Sequence, residues 1–445
     1  MKKHFKNIAT GLSILVLFFF ALSYYSHLVY NAALDGKNSG FIAHHLTNFA
    51  NYPQLIEDVL NSNELTGIPP SYVKVDSSFR EINKLTYNLY ALNSFWNKNK
   101  DEWDIKLFNL RNDSILYKWR LAKKGLDFKT TPYHFANAVP RNCILFPDKS
   151  IIISTDEAPN IMRLDSLSKL VWSNHELIYH HSLNLDADSN IWACTSDLMI
   201  DNKFVVKAIR NINGTIYRYK ENYITKVDRK TGKIIFHKGV SQLLIDNHYE
   251  NFVYGFSDPD RNAQDPIHLN DIQPILKDSH YWKKGDLLLS IRHRSLIVLY
   301  RPSTNKIVRL VFGKFINQHD AEVISDSTIS IFNNNFIHFE SDSVDTYYNK
   351  LNDTLRSLEI TTYNFKDSSF SNVLNPYIVK ENIWTETQGV HRILKNKDIF
   401  IESQNQGKIF ILNNSGVILR KMLFSPLKGY AYQPNWIRIY ETLPY

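Results

Sequence analysis

The chain predicts an all-β fold, a six-bladed β-propeller, behind an N-terminal transmembrane helix or signal segment. Three observations carry this expectation. From Asn142 onward, short alternating apolar runs recur in units, divided by polar turns rich in Asp, Asn and Lys. Each unit reads as strand, turn, strand, turn, strand, turn, strand, and repeated four-stranded antiparallel units are the signature of a propeller, whose radial closure protects its edges. The hairpin D-I-K-L-F-N-L-R-N-D-S-I-L-Y-K-W from Asp104 to Trp119 supplies one more unit, and the C-terminal N-W-I-R-I-Y-E-T-L offers a strand to that same blade.

In chain order, the first repeat is C-I-L-F-P-D-K-S-I-I-I-S-T followed by N-I-M-R-L-D-S-L-S-K-L-V-W. The second begins H-H-S-L-N-L-D-A-D-S-N-I-W-A-C-T-S and ends Y-I-T-K-V-D-R-K-T-G-K-I-I-F. The third and fourth open at His268 and His319, and a fifth runs from G-V-H-R-I-L to N-N-S-G-V-I-L-R. Unequal spacing between His181, His268, His319 and His391 requires large insertions, for which 255–264 and 347–356 are candidates.

The chain before the repeats divides into residues 1–36, a membrane anchor or signal peptide, and 37–103, a partly helical membrane-proximal region, ahead of the propeller at 104–445. Lys2, Lys3 and Lys6 precede Asn7–Leu34, which contains no Asp, Glu, Lys or Arg and is long enough to cross ~30 Å of hydrocarbon as a helix. The positive flank predicts a cytoplasmic N-terminus and an exported body, on the periplasmic face of a bacterial inner membrane. Cleavage near Asn31, Ala32 and Ala33 is the rival outcome. P-Q-L-I-E-D-V-L-N and F-R-E-I-N-K-L have apolar residues at helical spacing and predict short helices.

With 445 residues, 44% of them hydrophobic, the chain can bury a large core, which excludes a disordered protein. The formal charge of +8 comes from scattered Lys and Arg with no basic stripe, so a nucleic-acid partner is not predicted. Cys143 and Cys194 lie in separate strand regions and are either a disulfide or two buried thiols.

His181, His268 and His319 fall at equivalent positions, each opening the first strand of its unit, and first strands line a propeller's axis. One buried histidine is ordinarily a structural residue bonded to a carbonyl; three in register point to a shared cavity. Arg292, in S-I-R-H-R, either snorkels to solvent or offers its planar fork to an anion. Asn270, in L-N-D-I, is either a local cap or a ligand-binding amide. An oriented neutral imidazole can carry a transferred group covalently, and a guanidinium neutralises a sulfonate-like or phosphate-like anion. Three histidines would also suit zinc, but the nearby Arg292 opposes a cation, so neither metal nor cofactor is predicted. No Gly-rich phosphate loop or dinucleotide fingerprint is present.

The run D-P-I-H-L-N-D-I, S-I-R-H, Q-H-D-A-E-V-I, I-F-N-N-N resembles the bacterial arylsulfotransferases, the aryl-sulfate sulfotransferases that do not use a nucleotide sulfate donor. H-H-S-L-N-L-D-A-D-S-N-I-W is similar to that family's paired-histidine segment, and the likeness extends over roughly 180–438. The resemblance implies transfer of a sulfuryl group from an aryl sulfate donor to a phenolic acceptor through a sulfo-histidine. His319 would be the nucleophile, with His268 and Asn270 assisting at the sulfate and the phenolic oxygen, Arg292 binding the sulfate and His181 completing the ring. Asn333 and Asn335 stand where the family pattern has Asp and Gly. Two other classes remain open: a membrane-anchored propeller that only binds an anionic ligand or a protein partner, and a sulfate- or phosphate-ester hydrolase.

Overall fold

The computed structural model describes residues 13, 15–25, 72–97, 100, 102–122, 139–200, 203–204, 206–210, 216–255, 265–336, 358–427 and 429–445. The chain separates into two units, 1–70 and 71–445. In the first, residues 15–25 are helical with mostly exposed side chains. Among the described residues no helix is long and apolar enough to cross a membrane. The expected span 7–34 lies largely outside the described residues, as do the helix expected at 53–61 and nearly all of the insertions at 255–264 and 347–356.

Among the described residues the second unit is built of antiparallel sheets, five of them four-stranded and a sixth extended to seven strands, with two further two-stranded hairpins, an arrangement consistent with a propeller. Sheet one comprises Arg438–Tyr440, Tyr90–Asn97, Glu102–Asn109 and Ile115–Ala122, so the C-terminal strand does join the Asp104 hairpin. Sheet two is Pro140–Leu145, Ile151–Thr155, Ile161–Leu164 and Leu170–Asn174. Sheet three is Ile178–Leu185, Ile191–Ser196, Tyr223–Val227 and Ile234–Gly239. Sheet four is Leu269–Pro274, Leu287–Ile291, Leu296–Arg301 and Lys306–Phe312. Sheet five is Ala321–Val323, Thr328–Asn333, Glu359–Asn364 and Ser369–Val373. Sheet six is His391–Ile393, Ile399–Ser403, Lys408–Leu412 and Ile418–Leu427, extended by Tyr430–Tyr432 and Tyr72–Lys74.

Two expectations for the region before the repeats are corrected. F-R-E-I-N-K-L has helical spacing, yet Ile82–Asn83 pairs as a strand with Arg420 and Lys421. Strands also begin well before Asp104, because Tyr90–Asn97 pairs along its whole length with Glu102–Asn109. Here the edge of a neighbouring sheet outweighs local periodicity.

Strand turns follow from side-chain chemistry. Asp148, Asp165, Asp186, Asp228 and Asn413 each accept a backbone N–H two residues on, which nucleates the tight turn between strands. Gly232, in D-R-K-T-G, has φ +73°, and a Cβ there would stand 2.4 Å from the Trp172 ring, so only glycine serves. Both faces of the second strands are covered, and Ile151–Thr155, Ile191–Ser196, Leu287–Ile291 and Ile399–Ser403 are buried at every position. Between sheets three and four, Leu287, Leu289, Ile291, Leu296 and Val298 pack on Cys194, Ile224 and Val240. Cys143 and Cys194 are both buried free thiols.

Neighbouring inner strands are tied by a sequence of hydrogen bonds that returns to its start. Leu183 N–H donates to Asn142 Oδ1, Ile272 N–H to Ser182 Oγ (3.1 Å), Ala321 N–H to Asp271 Oδ2 (3.0 Å) and His391 N–H to Asp320 Oδ2 (3.0 Å). The carboxylate of Glu402 in sheet six then accepts Trp436 N–H and Ile437 N–H, just ahead of the sheet-one strand Arg438–Tyr440. Asn142 N–H donates to the Asn435 carbonyl, linking sheet one to sheet two.

Candidate active site

His181 sits at a bulge within its inner strand, and His268 immediately before its own. Both have left-handed backbone, with φ 59° and 50°. Non-glycine residues held there cost of order 1–3 kcal/mol each, and such strain concentrates at functional sites. His319 precedes Ala321–Val323 and is anchored by its N–H to the Phe332 carbonyl (2.9 Å).

These placements bring the predicted histidines together. The His181 ring centroid lies 5.2 Å from that of His268 and 5.8 Å from that of His319, and Trp436 stands 5.7 Å from His181 and 6.3 Å from His319. Arg292 opens a single 3-10 turn after Leu287–Ile291. It is half-buried, its Nη1 is 2.8 Å from His293 Nε2, and its Nε has no partner. It does not snorkel freely to solvent. Asn270 is fully buried within a strand, not a cap; its Nδ2 donates to the Gln318 carbonyl (2.8 Å), and its Oδ1 is unpartnered.

Protonation states follow from groups that can only donate. Gln388 N–H donates to His319 Nε2 (3.1 Å), so that nitrogen carries the lone pair and Nδ1 the proton, which goes to Asn334 Oδ1 (2.7 Å). Asn334 is itself held by its Nδ2 on the Thr385 and Gln388 carbonyls. Burial, then the guanidinium of Arg292, holds His319 well below the usual imidazole range. Burial and the neighbouring imidazoles of His180, His268 and His319 do the same to His181. His268 Nδ1 lies 2.8 Å from Asp265 Oδ2. Burial opposes ionisation of Asp265, but His268 beside it keeps the carboxyl well below its ordinary range. The arrangement sets the neutral, oriented imidazoles of His181 and His319 beside His268 and a guanidinium, suited to an anion whose charge shifts during reaction.

Several of these residues carried no signal in the sequence. Gln388 precedes the G-V-H run without a motif, and Trp436 reads as an ordinary strand aromatic. Asn334 was visible only as the centre of N-N-N, and Arg141 lay just outside the first repeat. Arg141 pairs with Asp156 (3.1 Å) while its Nε and Nη1 are unpartnered, and its charge is felt at both His181 and His319. His391, the remaining histidine of the repeat, does not join the group. It is paired with Asp320 (2.8 Å) and Ser330 (2.7 Å) and lines a separate cavity of about 220 Å³ with Asp271, Glu322, Arg392 and Arg438.

Asp265, His268 and His293 are the group among the described residues whose metal-ligating atoms fall within 4.8 Å of one another. They fit a cation poorly. His293 Nδ1 is engaged by the Asp265 carbonyl (2.6 Å), and the Arg292 guanidinium occupies its Nε2.

Buried titrating groups set a pH optimum of stability. Burial and the neighbouring Asp320 push Asp271 up to about 8, and burial pushes Glu402 up to about 7, both above their unfolded values near 4. Their contribution is complete below the unfolded values near 4 and is lost progressively as pH rises from there through 7 to 8. His180 and His293 are depressed by burial to about 3 and about 4, and His181 and His319 are also depressed, so their contribution is lost as pH falls below 6.5. Denaturant midpoints measured at about pH 5, 6.5 and 8.5 are expected to be highest at the middle value. A monotonic rise to about pH 8.5 would contradict these assignments.

Residues 142–424 match the family model described as Arylsulfotransferase (ASST). No curated protein sequence matches the chain. Among solved structures, a protein of unknown function from Bacteroides caccae is 10% identical, with 79% of this chain and 98% of that chain covered and a TM-score of 0.47. Virginiamycin B lyase from Staphylococcus aureus with quinupristin is 11% identical over 77% of this chain and 87% of that one, TM-score 0.35. A nidogen/laminin complex is 8% identical over 79% and 98%, TM-score 0.41.

Proposed function

This chain belongs to the arylsulfotransferase family, and on that premise we propose that it moves a sulfuryl group from a phenolic sulfate ester to a phenolic acceptor through a sulfo-histidine at His319. The observation that carries this reading is the tautomer of His319. Gln388 N–H donates to Nε2, which marks that nitrogen as the one bearing the lone pair, while Asn334 accepts the Nδ1 proton. A neutral imidazole oriented in this way is a competent nucleophile.

In the first half-reaction, Nε2 of His319 attacks sulfur, the S–O bond breaks and the aryloxide departs. Positive charge developing on the ring is shared with Asn334 Oδ1 through Nδ1–H. Gln388 N–H, released from Nε2, is placed to donate to a sulfuryl oxygen, alongside Arg292. His268, oriented by Asp265, and the Asn270 amide serve the sulfate and the phenolic oxygen. In the second half-reaction the acceptor oxygen attacks sulfur, the S–Nε2 bond breaks, and the acceptor's proton goes to Nε2 of His181. That nitrogen faces the Gln388 amide at 3.4 Å. The four-stranded sheets are, in this reading, six blades around one axis, and the site lies at the end of the axis where the inner strands begin. The uncharged run Asn7–Leu34 supports export, with the body on the periplasmic face.

The test is incubation with 4-nitrophenyl sulfate and a phenol, followed by mass spectrometry of the quenched protein for a sulfo group on His319. Release of nitrophenol only when an acceptor is present separates transfer from hydrolysis. Arg292→Lys keeps the charge but loses the planar fork, and a fall in kcat/KM for the donor of about 10- to 100-fold is expected. An unchanged kcat/KM would mean that Arg292 does not hold the sulfate.

A further inference from the structure

His180 is buried beside the site and takes no part in the chemistry described above. Its Nδ1 lies 2.9 Å from Nδ1 of His181, and the rings meet edge to face with centroids 5.1 Å apart. One nitrogen of such a pair must donate and the other accept, and a neighbouring set of bonds decides which. Trp436 Nε1–H can only donate, and it donates to Gln388 Oε1 (2.8 Å). The Gln388 amide is thereby oriented with Nε2 toward Nε2 of His181 (3.4 Å), and an amide nitrogen also only donates. His181 Nε2 therefore bears the lone pair, its proton is on Nδ1, and His180 Nδ1 is the acceptor. The His180 proton is left on Nε2, which is buried and has no partner.

We propose that His180 is a positioning residue, which by accepting Nδ1–H of His181 holds that ring as the tautomer whose Nε2 takes the acceptor's proton. This rests on the sulfotransferase reading. In the transfer step the acceptor O–H bond breaks as its oxygen bonds sulfur, and the S–Nε2 electron pair returns to His319. The proton binds Nε2 of His181, and the resulting imidazolium is stabilised through Nδ1–H on His180. A carboxylate in this place would hold His181 more strongly basic; a neutral imidazole orients it without fixing a charge there. The groups facing the pair are Lys220, Asp156, Asp265 and His268 around His180, and His268, His319 and Arg141 around His181. Of these, Asp156 is paired with Arg141 and Lys220 with Glu157 (3.6 Å). The left-handed backbone at His181 turns two consecutive side chains toward each other where a regular strand would send them to opposite faces.

Two measurements test the proposal. Long-range nitrogen–proton NMR of imidazole-labelled wild-type protein should show His181 protonated at Nδ1 and bare at Nε2, and the opposite tautomer overturns the proposal. The measurement needs no turnover, so it separates failure of this inference from failure of the sulfotransferase reading. In single-turnover experiments, His180→Phe, which keeps the shape but not the acceptor, should form the sulfo-enzyme from 4-nitrophenyl sulfate at close to the wild-type rate. Its transfer to a poorly acidic phenol should slow on the order of 100-fold, with the pH dependence of that step altered. His180→Asn, which keeps an oxygen acceptor at that place, should recover most of the loss. Equal losses in both half-reactions, or no recovery with asparagine, would leave His180 with a packing role only. If His180→Phe does not fold, the asparagine variant and the NMR tautomer decide the matter.

Discussion

His319→Ala is expected to remove turnover altogether, with a loss on the order of 10⁴- to 10⁶-fold and no sulfo group on the quenched protein. The magnitude follows from the covalent role: without an acceptor atom for the sulfuryl group, neither half-reaction has a route. The substitution also strips Gln388 N–H and Asn334 Oδ1 of their buried partner, at about 1–3 kcal/mol each. A thermal melt must therefore accompany the assay. Asn334→Ala supplies the comparison, because it leaves the nucleophile in place and frees its tautomer. A loss of about 10²- to 10³-fold is expected there, with a sulfo-enzyme still detectable. Turnover by folded His319→Ala within tenfold of wild type would remove the sulfo-histidine from the mechanism.

What could be read from the sequence was the part governed by periodicity. Alternating runs and Asx turns mark the strands, and register then places His181, His268 and His319 near the starts of inner strands. Arg292 was visible because a charge between two apolar runs is conspicuous, though its two readings were separated only by its contact with His293. The residues that set protonation state were not readable. Gln388, Asn334 and Trp436 act through single donor or acceptor atoms brought from distant sheets, and nothing in their local spacing distinguishes them from turn or core residues. His391 illustrates the converse. It shares the repeat position by sequence, but Asp320 draws it into a different cavity, and although burial works against its protonated form, that carboxylate raises its pKa. Ile82–Asn83 shows the same limit for secondary structure, since the strand is made by the edge offered by Arg420 and Lys421.

Truncation before Asn435 is expected to prevent folding. The removed segment includes Trp436, 1% exposed, and Ile437, 3% exposed, whose burial contributes roughly 2–3 kcal/mol each. It also includes Arg438, whose Nε donates to the Cys143 carbonyl (3.0 Å) and whose Nη2 reaches Asn142 and the Leu183 carbonyl. Tyr440 accepts Leu145 N–H (2.8 Å). Worse than the lost contacts is what stays behind. Glu402 would be left with a buried carboxylate deprived of both backbone donors, and Tyr90–Asn97 with an open inner edge. These terms together exceed the net stability of about 5–15 kcal/mol typical of folded proteins. Removing only Glu441–Tyr445 forfeits far less, namely the Lys395 N–H bond to Glu441, the packing of half-buried Leu443 on the core and the Lys149 contact with the Tyr445 ring, so this variant should still fold with a modestly lowered melting temperature. A cooperative melt near wild type for the longer truncation would show that sheet one does not need its C-terminal strand. Because Trp436 both donates its backbone N–H to Glu402 and orients the Gln388 amide through its indole N–H, a substitution such as Trp436→Phe should separate the two duties. Its backbone still satisfies Glu402, so the fold should hold, while the unanchored Gln388 amide should cost activity.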